Sequence, residues 1–303
     1  MENIGGKPPA RRVLTVIIWL ALGLIWGSTW TFIKVGLADL PPFGFAGLRF
    51  VLAAIPLWIF LLARRPKGPT SRADWILVVG TGLLSISVSY GLVFWGEQYI
   101  ASGLTAILFT SYGMFGLLFA HAFLPAEPLR PRKVSGVLLG IAGIALIFAD
   151  QIGWKGPMAL WGSLAVVLSA VIQAFSAVMI KGRAGHLDPA VVTAWQMLVG
   201  AVPLVLLGLL LEGNPFRFHW TPMGLFSLLY LALVGSSLAF VLWYTLLKRV
   251  EVTKAQTMPL INTLVAVALG AILLGERFGL REAAGGLGIL LGTALVVTAL
   301  RKR

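Results

Sequence analysis

The 303-residue sequence has no cysteine and little charge. Without cysteine, the chain cannot form disulfides, and thiol catalysis and cysteine-ligated metal sites are excluded. Charged residues make up 12% of the sequence, against roughly 25% in soluble domains, whereas 58% of the residues are hydrophobic. A water-soluble core of ordinary size cannot bury so much apolar surface. The composition therefore indicates a protein that crosses the membrane many times.

Acidic residues and histidines are also scarce, and their positions exclude several kinds of active site. The 11 acidic residues and three histidines fall at the ends of apolar runs or between them. They cannot form a Ser–His–Asp arrangement, a metal cluster or a phosphate-binding loop. A carboxylate relay for protons at a span centre is missing as well. We therefore expect no enzyme, no cofactor, no metal site and no drive by ATP.

The net charge of +13 raises the question of nucleic-acid binding. The Lys and Arg residues, however, stand in short clusters between apolar runs, which is the pattern of the positive-inside rule. Of the 24 basic residues, 18 fall on one side of the predicted membrane. We therefore expect no nucleic-acid partner, and both termini should face the cytoplasm.

Ten apolar runs are long enough to cross about 30 Å of hydrocarbon as helices. Breaks rich in proline and glycine separate most of them, and a short turn near Glu97 joins the third to the fourth. The runs cover roughly residues 13–33, 44–63, 75–95, 100–123, 134–149, 158–180, 190–211, 222–246, 253–274 and 283–300.

The two halves of the chain carry the same landmarks in the same order. At spacings of 147 to 149 residues, the pairs are Pro42 and Pro189, Pro56 and Pro203, Glu127 and Glu276, Gly136 and Gly285, and Gly143 and Gly292. Two copies in register indicate a duplication, which divides the chain into repeats 1–150 and 151–303. Because each half holds five spans, the second is inverted relative to the first. Inverted repeats are typical of secondary transporters.

Three short motifs support a family resemblance. Residues 25–28 read Ile-Trp-Gly-Ser, residues 47–50 read Gly-Leu-Arg-Phe, and residues 274–278 read Leu-Gly-Glu-Arg-Phe. With the duplication, the sequence resembles the ten-helix EamA-type exporters of the drug/metabolite transporter superfamily, and amino-acid exporters of the YddG type are the nearest in function. The resemblance implies an all-α membrane protein with ten transmembrane helices, arranged as two inverted five-helix repeats around a central cavity. It also implies export across a bacterial inner membrane.

Polar residues at similar depth on several spans predict the walls of this cavity. A single serine in a membrane helix more often contacts another helix or bonds back to its own preceding turn. Collected together with deep aromatic side chains, such residues favour a site for an amphipathic substrate or an ammonium group. The residues expected to bind substrate are Trp26, Arg49, Ser85, Ser89, Tyr90, Tyr112, Gln173, Ser237, Tyr244 and Asn262.

Arg49 lies about five residues inside the second span, where a charge costs up to about 3 kcal/mol unless it is compensated. Two interpretations stay open. The side chain is a structural clamp on backbone carbonyls or on Glu97, or extends to the interface; alternatively, it contacts a substrate carboxylate or gates the outer mouth. The repeat counterpart of Arg49 is the uncharged Gln196.

Two repeat-related pairs are expected to shape the bundle. Glu127 and Glu276 should be structural, because each ends a span and can cap the helix that follows or pair with a nearby arginine. Pro56 and Pro203 interrupt helix interiors, where proline produces a kink. These prolines are the candidate hinges for alternating access.

The sequence thus predicts a secondary transporter that exports small metabolites by alternating access. Amino acids, including apolar and aromatic ones, are the first substrate class. A drug or cation exporter of the same superfamily and a facilitative channel are the alternatives. The expected partners are a small-molecule substrate and the lipid bilayer, and we expect a monomer, with a homodimer as the alternative.

Overall fold

A computed structural model describes residues 9–124, 131–150, 156–247 and 258–298. The side chains of residues 9–12, 150, 244, 247, 297 and 298 are outside this description, and so is all of Glu127. Every long element of the described chain is a helix.

Ten helices follow one another along the described residues and coincide with the ten predicted spans. By length and composition, eight of them can cross a membrane, and Met258–Leu274 is a shorter apolar helix. Helix α8 joins three segments, Pro222–Leu229, Tyr230–Leu238 and Ala239–Leu247. The other helices are α1 Pro9–Gly36, α2 Pro42–Arg64, α3 Arg72–Glu97, α4 Ser102–Phe123, α5 Pro131–Asp150, α6 Pro157–Arg183, α7 Pro189–Leu211, α9 Met258–Leu274 and α10 Leu280–Thr298.

Proline and short polar residues determine where several helices begin. Helices α2, α6, α7 and α8 have proline in their first turn, where the missing N–H has no partner in the helix anyway. Ser71, Asp188 and Thr221 precede α3, α7 and α8, and the side chain of each accepts a backbone N–H of the first turn. Polar residues between the apolar runs therefore cap the helices that follow them.

The helices pack with a pseudo-twofold relation between α1–α5 and α6–α10. Helix α2 packs along α7, α4 along α9 and α5 along α10, so each of these helices contacts its own repeat counterpart. Helix α1 packs against α8 and α9, and α6 packs against α3 and α4, which is the same arrangement with the halves exchanged. This symmetry agrees with two inverted five-helix repeats.

Glycines let α5 and α10 approach closely. A Cβ at Gly136 would lie 2.7 Å from the carbonyl oxygen of Gly292, and a Cβ at Gly143 would lie 2.4 Å from that of Gly285. The glycine pairs of the repeat thus meet reciprocally, as a twofold axis between two helices requires. Small residues at such positions allow helix backbones to contact each other in membranes. The oligomeric state stays a prediction.

Two repeat-related helices contain π-helical turns. These segments are Leu83–Ser89 in α3 and Tyr230–Leu238 in α8. Helix α3 packs against α7 and helix α8 against α2, so each π-helical segment lies beside a helix with an internal proline, Pro203 in α7 or Pro56 in α2. Single-turn π segments often mark functional sites in helices.

Serine hydroxyls from neighbouring helices bond to the backbone close to both internal prolines. The hydroxyl of Ser237 donates to the carbonyl oxygen of Ala53 at 2.9 Å, and that of Ser87 donates to the carbonyl oxygen of Gly200 at 2.7 Å. Both carbonyls belong to residues three positions before the helix proline. Because proline removes a backbone donor, a hydroxyl from a neighbouring helix helps to satisfy the backbone near the kink.

The outer surface of the bundle is apolar. Large aliphatic side chains along several helices are more than half exposed, among them Leu62, Leu138, Leu210 and Ile272. Exposed apolar surface on this scale is unfavourable in water and indicates contact with lipid. The polar side chains discussed below are instead largely buried between helices.

Candidate functional site

Arg49 is the centre of a buried cluster between α2, α3 and α8. Its side chain is 3% exposed, and its Nε donates to Ser236 Oγ at 3.3 Å. The guanidinium carbon lies 5.1 Å, 5.3 Å and 5.8 Å from the ring centroids of Phe50, Tyr90 and Phe94. Its Nη1 is buried without a hydrogen-bond partner in the described chain. The cluster therefore surrounds a cation with aromatic rings and leaves part of its donor capacity unused.

Gln196 makes the repeat-related contact without a charge. Its Nε2 donates to Thr81 Oγ1 at 2.8 Å and joins α7 to α3, as Arg49 joins α2 to α8. The two halves are thus alike in helix packing and different in electrostatics. Of Arg49 and Gln196, only Arg49 carries a positive charge that can bind an anion.

Glu97 is the carboxylate closest to this cluster along α3. Tyr90, Phe94 and Glu97 are spaced i, i+4 and i+7, so they share one face of the helix. Glu97 is fully buried, and neither carboxylate oxygen has a hydrogen-bond partner among the described residues. The sequence predicts a turn near Glu97 and does not include this residue among the substrate-binding ones, although its spacing from Tyr90 fits one face of a helix.

Lys34 lies beside Glu97 and caps the carbonyl groups at the end of α3. Its Nζ donates to the carbonyl oxygens of Glu97 at 2.7 Å, Gln98 at 3.2 Å and Ile100 at 2.8 Å. A cation is favoured at a helix C-terminus, where carbonyl groups lack partners within the helix. Lys34 thereby ties the end of α1 to the turn between α3 and α4.

A cavity of about 640 Å³ opens at this end of the bundle. It lies where α1, the turn between α3 and α4, the start of α8 and the end of α9 meet. Its lining includes Lys34, Asp39, Tyr99, Met223 and Glu276. None of the ten predicted substrate-binding residues is in its lining, but Lys34 connects it to the buried cluster around Glu97 and Arg49.

Glu276 caps a helix, but not the one expected from the sequence. Its Oε1 accepts the backbone N–H of Ser102 at 2.6 Å, and its Oε2 accepts that of Gly103 at 3.0 Å. These amides open α4, so the expectation that Glu276 caps the following helix is wrong. At the start of α10, Glu282 Oε2 accepts the N–H of Gly279 instead. The repeat counterpart, Glu127, lies outside the described residues.

A second carboxylate, Glu212, makes the same kind of contact. Placed just after α7, it accepts the backbone N–H groups of Phe43 at 2.9 Å and Gly44 at 2.6 Å, at the start of α2. Partial burial raises the pKa of the Glu212 carboxyl, and the two hydrogen bonds oppose that shift. Glu212 and Glu276 therefore both join the second half of the chain to helix starts in the first half.

The serines predicted to bind substrate are hydrogen-bonded to other groups of the protein in this structure. Ser85 Oγ donates to the carbonyl oxygen of Thr81 at 2.6 Å, within α3. Ser89 Oγ and Ser169 Oγ lie 2.9 Å apart and join α3 to α6. Ser237, as described above, bonds to α2. These contacts match the structural interpretation kept open for single serines, and their role in substrate binding stays a prediction.

The predicted aromatic residues lie in three different places. Trp26 packs against Phe240 and Trp243 of α8, with ring centroids 6.2 Å and 5.4 Å apart. Tyr112 is stacked on Phe109 at 6.4 Å, where α4 is interrupted at Ser111. Tyr90 is the predicted aromatic residue that contacts Arg49.

Two predicted amide residues retain free acceptors. Gln173 Oε1 on α6 and Asn262 Oδ1 on α9 are buried and have no hydrogen-bond partner within the described ranges. Buried amide oxygens are normally satisfied, so each is available to a donor on a substrate or on water. The side chain of Tyr244 lies outside the described residues.

The comparisons with known proteins agree with one another on the family of this chain. The EamA-like transporter family matches the chain twice, over residues 13–149 and 160–298. A "Probable amino-acid metabolite efflux pump" of Escherichia coli (strain K12) is 29% identical over 295 residues, covering 95% of this chain and 96% of the relative. The "Uncharacterized inner membrane transporter YedA" of the same strain is 30% identical over 284 residues, covering 92% and 88%.

Further similarities agree with this result. The "Uncharacterized transporter YoaV" of Bacillus subtilis (strain 168) is 29% identical over 273 residues, covering 90% of this chain and 93% of the relative. A solved crystal structure with a TM-score of 0.64 and 21% identity covers 95% of this chain and 99% of its own, which supports the fold alone. The double match, the ten helices and the apolar surface lead to one conclusion: the chain is a multi-pass membrane transporter that belongs to the EamA-like transporter family.

Proposed function

We propose that this transporter exports amino acids, including apolar and aromatic ones, across a bacterial inner membrane. The observation that carries the proposal is Arg49, a buried cation whose Nη1 has no partner among the described residues. Arginine is suited to carboxylates because its planar guanidinium presents several donors in a fixed geometry. A relative from Escherichia coli is named a probable amino-acid metabolite efflux pump, which agrees with this substrate class.

The surroundings of Arg49 suit a substrate with both polar and apolar parts. Phe50, Tyr90 and Phe94 form the aromatic side of the cluster. On other helices, Gln173 and Asn262 supply buried amide oxygens that have no hydrogen-bond partner in the described part of the chain. Together these groups offer a cation for a carboxylate, acceptors for an ammonium group and apolar contacts for a side chain. We include Trp26 and Tyr112 among the predicted walls.

Transport proceeds by alternating access of two inverted halves, residues 1–150 and 151–303, with both termini in the cytoplasm. In this mechanism, Pro56 and Pro203 act as hinges. The pseudo-twofold packing and the serine bridges at both kinks support this, because each half then bends at an equivalent place. Because Arg49 is buried, substrate reaches it only after the helices around it have moved.

Saturable transport in proteoliposomes tests the proposed substrate class. Purified wild-type protein should carry radiolabelled phenylalanine and leucine at rates that saturate with concentration. Arg49→Gln should lower amino-acid transport while the protein still folds, and Arg217→Gln, at an exposed arginine between α7 and α8, is the matched control. Transport of an organic cation but of no amino acid would favour the drug exporter. Loss of folded protein in Arg49→Gln would support the structural role of Arg49.

A further inference from the structure

Four charged side chains gather at the end of the bundle where α3 ends. Lys34 donates to the backbone carbonyl of Glu97, Glu276 lines the same cavity as Lys34, and Arg49 lies over the ring of Phe94, one turn before Glu97. Lys34, Arg49 and Glu276 come from α1, from α2 and from the connection between α9 and α10. The hydrogen bonds of these groups divide them into two that are satisfied by backbone and two that are not.

Lys34 and Glu276 are satisfied within the protein. The ammonium of Lys34 has three N–H donors, and three backbone carbonyl oxygens accept from it. Each carboxylate oxygen of Glu276 accepts one backbone N–H at the start of α4. Both side chains therefore have structural partners, and neither supplies a hydrogen bond to the carboxylate of Glu97.

Arg49 and Glu97 are the two that are not satisfied. Arg49 is 3% exposed and Glu97 is 0% exposed. Arg49 Nη1 and both Glu97 carboxylate oxygens are without hydrogen-bond partners in the part of the chain that the structure describes. A buried charge without a partner is strongly unfavourable, so a group of opposite charge is expected to satisfy each of them at some stage of the transport cycle.

The two groups lie along one face of α3. Tyr90 and Phe94 contact the Arg49 guanidinium, and Glu97 follows on the same helix face, one turn beyond Phe94. An α-amino acid carries its carboxylate and its ammonium on one carbon atom. It can therefore offer an acceptor to Arg49 and a donor to Glu97 at the same time.

We infer that Glu97 binds the ammonium group of the substrate while Arg49 binds its carboxylate, and this inference rests on the proposed function. The site then selects zwitterions over solutes that carry only one of these charges. Glu97 is then a specificity-determining residue, because it accepts hydrogen bonds from the substrate ammonium while Arg49 donates to the carboxylate. Lys34 and Glu276 hold the surrounding helix ends and leave these two groups for the substrate.

Binding of three related ligands to detergent-purified protein tests this inference. The ligands are L-phenylalanine, 3-phenylpropionate, which lacks the ammonium group, and 2-phenylethylamine, which lacks the carboxylate. Apparent affinities come from the concentration dependence of thermal stabilisation, which also shows that each variant is folded. Wild-type protein should bind phenylalanine at least about tenfold more tightly than either analogue, because each missing charge leaves a buried group unpaired.

The variants should separate the two contacts. Glu97→Gln should bind phenylalanine and 3-phenylpropionate with similar affinity while it still discriminates against 2-phenylethylamine. Arg49→Gln should show the opposite pattern. Glu212→Gln, which removes a carboxylate that bonds to backbone N–H groups elsewhere, should keep the wild-type preference for phenylalanine over both analogues.

Several results would overturn the inference. If wild-type protein binds 3-phenylpropionate as tightly as phenylalanine, then binding does not depend on a contact with the ammonium group. This test does not require that Glu97→Gln folds. Equal weakening of all three ligands in Glu97→Gln would show a structural role, as would wild-type affinities in the double variant Arg49→Gln/Glu97→Gln. If wild-type protein transports phenylalanine without this selectivity, only the inference fails. If it neither binds nor transports any amino acid, the proposed function fails first.

Discussion

At the scale of single residues, the polar groups of this transporter differ in whether the protein itself satisfies them. The hydroxyls of Ser85 and Ser237 bond to backbone carbonyls and that of Ser89 bonds to Ser169, whereas Arg49 and Glu97 keep buried polar atoms without hydrogen-bond partners among the described residues. Unsatisfied polar atoms are costly in a packed interior, so their survival in one cluster is the strongest indication of a binding site.

Only part of that cluster could be predicted from the sequence. Arg49 is conspicuous because a charge inside an apolar span is costly wherever the helix lies. The sequence predicts a turn near Glu97, and the burial of this residue follows from the packing of α2 and α6 against the last turns of α3. Likewise, Glu276 was expected to act on its own neighbouring helix, but its partners are 173 and 174 residues away.

The cap made by Glu276 gives a prediction about stability. Glu276→Ala should lower the free energy of unfolding by roughly 0.5–2 kcal/mol, because two amides at the start of α4 lose their acceptor. The midpoint of thermal unfolding in detergent measures the effect. Arg277→Ala, at the exposed neighbouring residue, is the control. Equal midpoints for Glu276→Ala and this control would contradict a capping role.

At the scale of helices, close backbone contacts and kinks define the architecture. The ten spans were predicted correctly because the length of an apolar run follows from bilayer thickness. The π-helical turns were not predicted, because a π turn depends on contacts with a neighbouring helix rather than on residue pattern. The roles of Ser87 and Ser237 at the proline kinks became visible only in the packed bundle.

The contact between α5 and α10 should be sensitive to a single methyl group. Gly143→Ala would place a Cβ 2.4 Å from the carbonyl oxygen of Gly285, so the two backbones must separate. We expect a loss of about 1–3 kcal/mol in unfolding free energy, typical of overpacking. Gly116→Ala on α4 would place its new Cβ more than 4 Å from all described atoms outside its own stretch of helix, and it should be neutral or stabilising. Equal unfolding midpoints for the two variants would refute this packing.

The hinge hypothesis predicts a change in rate rather than in binding. Pro56→Ala and Pro203→Ala restore a backbone donor in α2 and α7 and should stiffen the kinks. Turnover in proteoliposomes should fall several-fold, while the apparent affinity for substrate in detergent is retained. Pro222→Ala, at the start of α8, is the control because proline there opens a helix. Unchanged turnover in both variants would exclude Pro56 and Pro203 as hinges.

At the scale of the whole molecule, the two halves share their packing but differ in charge. The sequence predicted the duplication from spacing and the inversion from an odd number of spans, and the reciprocal helix contacts agree with both. It could not reveal that the described cavity lies at the end of the bundle near Lys34, because that depends on how four separate chain segments meet.

The expected orientation can be measured because the chain has no cysteine. Single variants Thr70→Cys, between α2 and α3, and Phe216→Cys, between α7 and α8, place an exposed thiol at opposite ends of the bundle. A membrane-impermeant maleimide should label Phe216→Cys in intact spheroplasts and Thr70→Cys only after permeabilisation, because basic clusters favour the cytoplasmic side. The reverse pattern would mean that the termini face outward.

Counterflow in proteoliposomes tests the central claim, that this protein is an amino-acid carrier, most directly. Vesicles loaded with unlabelled phenylalanine are diluted into a trace of labelled phenylalanine, and the label inside is followed over time. A carrier should accumulate the label transiently above its equilibrium level, because exchange on a saturable site is faster than net loss. A monotonic approach to equilibrium without exchange would indicate a channel, and uptake equal to that of protein-free vesicles would contradict amino-acid transport altogether.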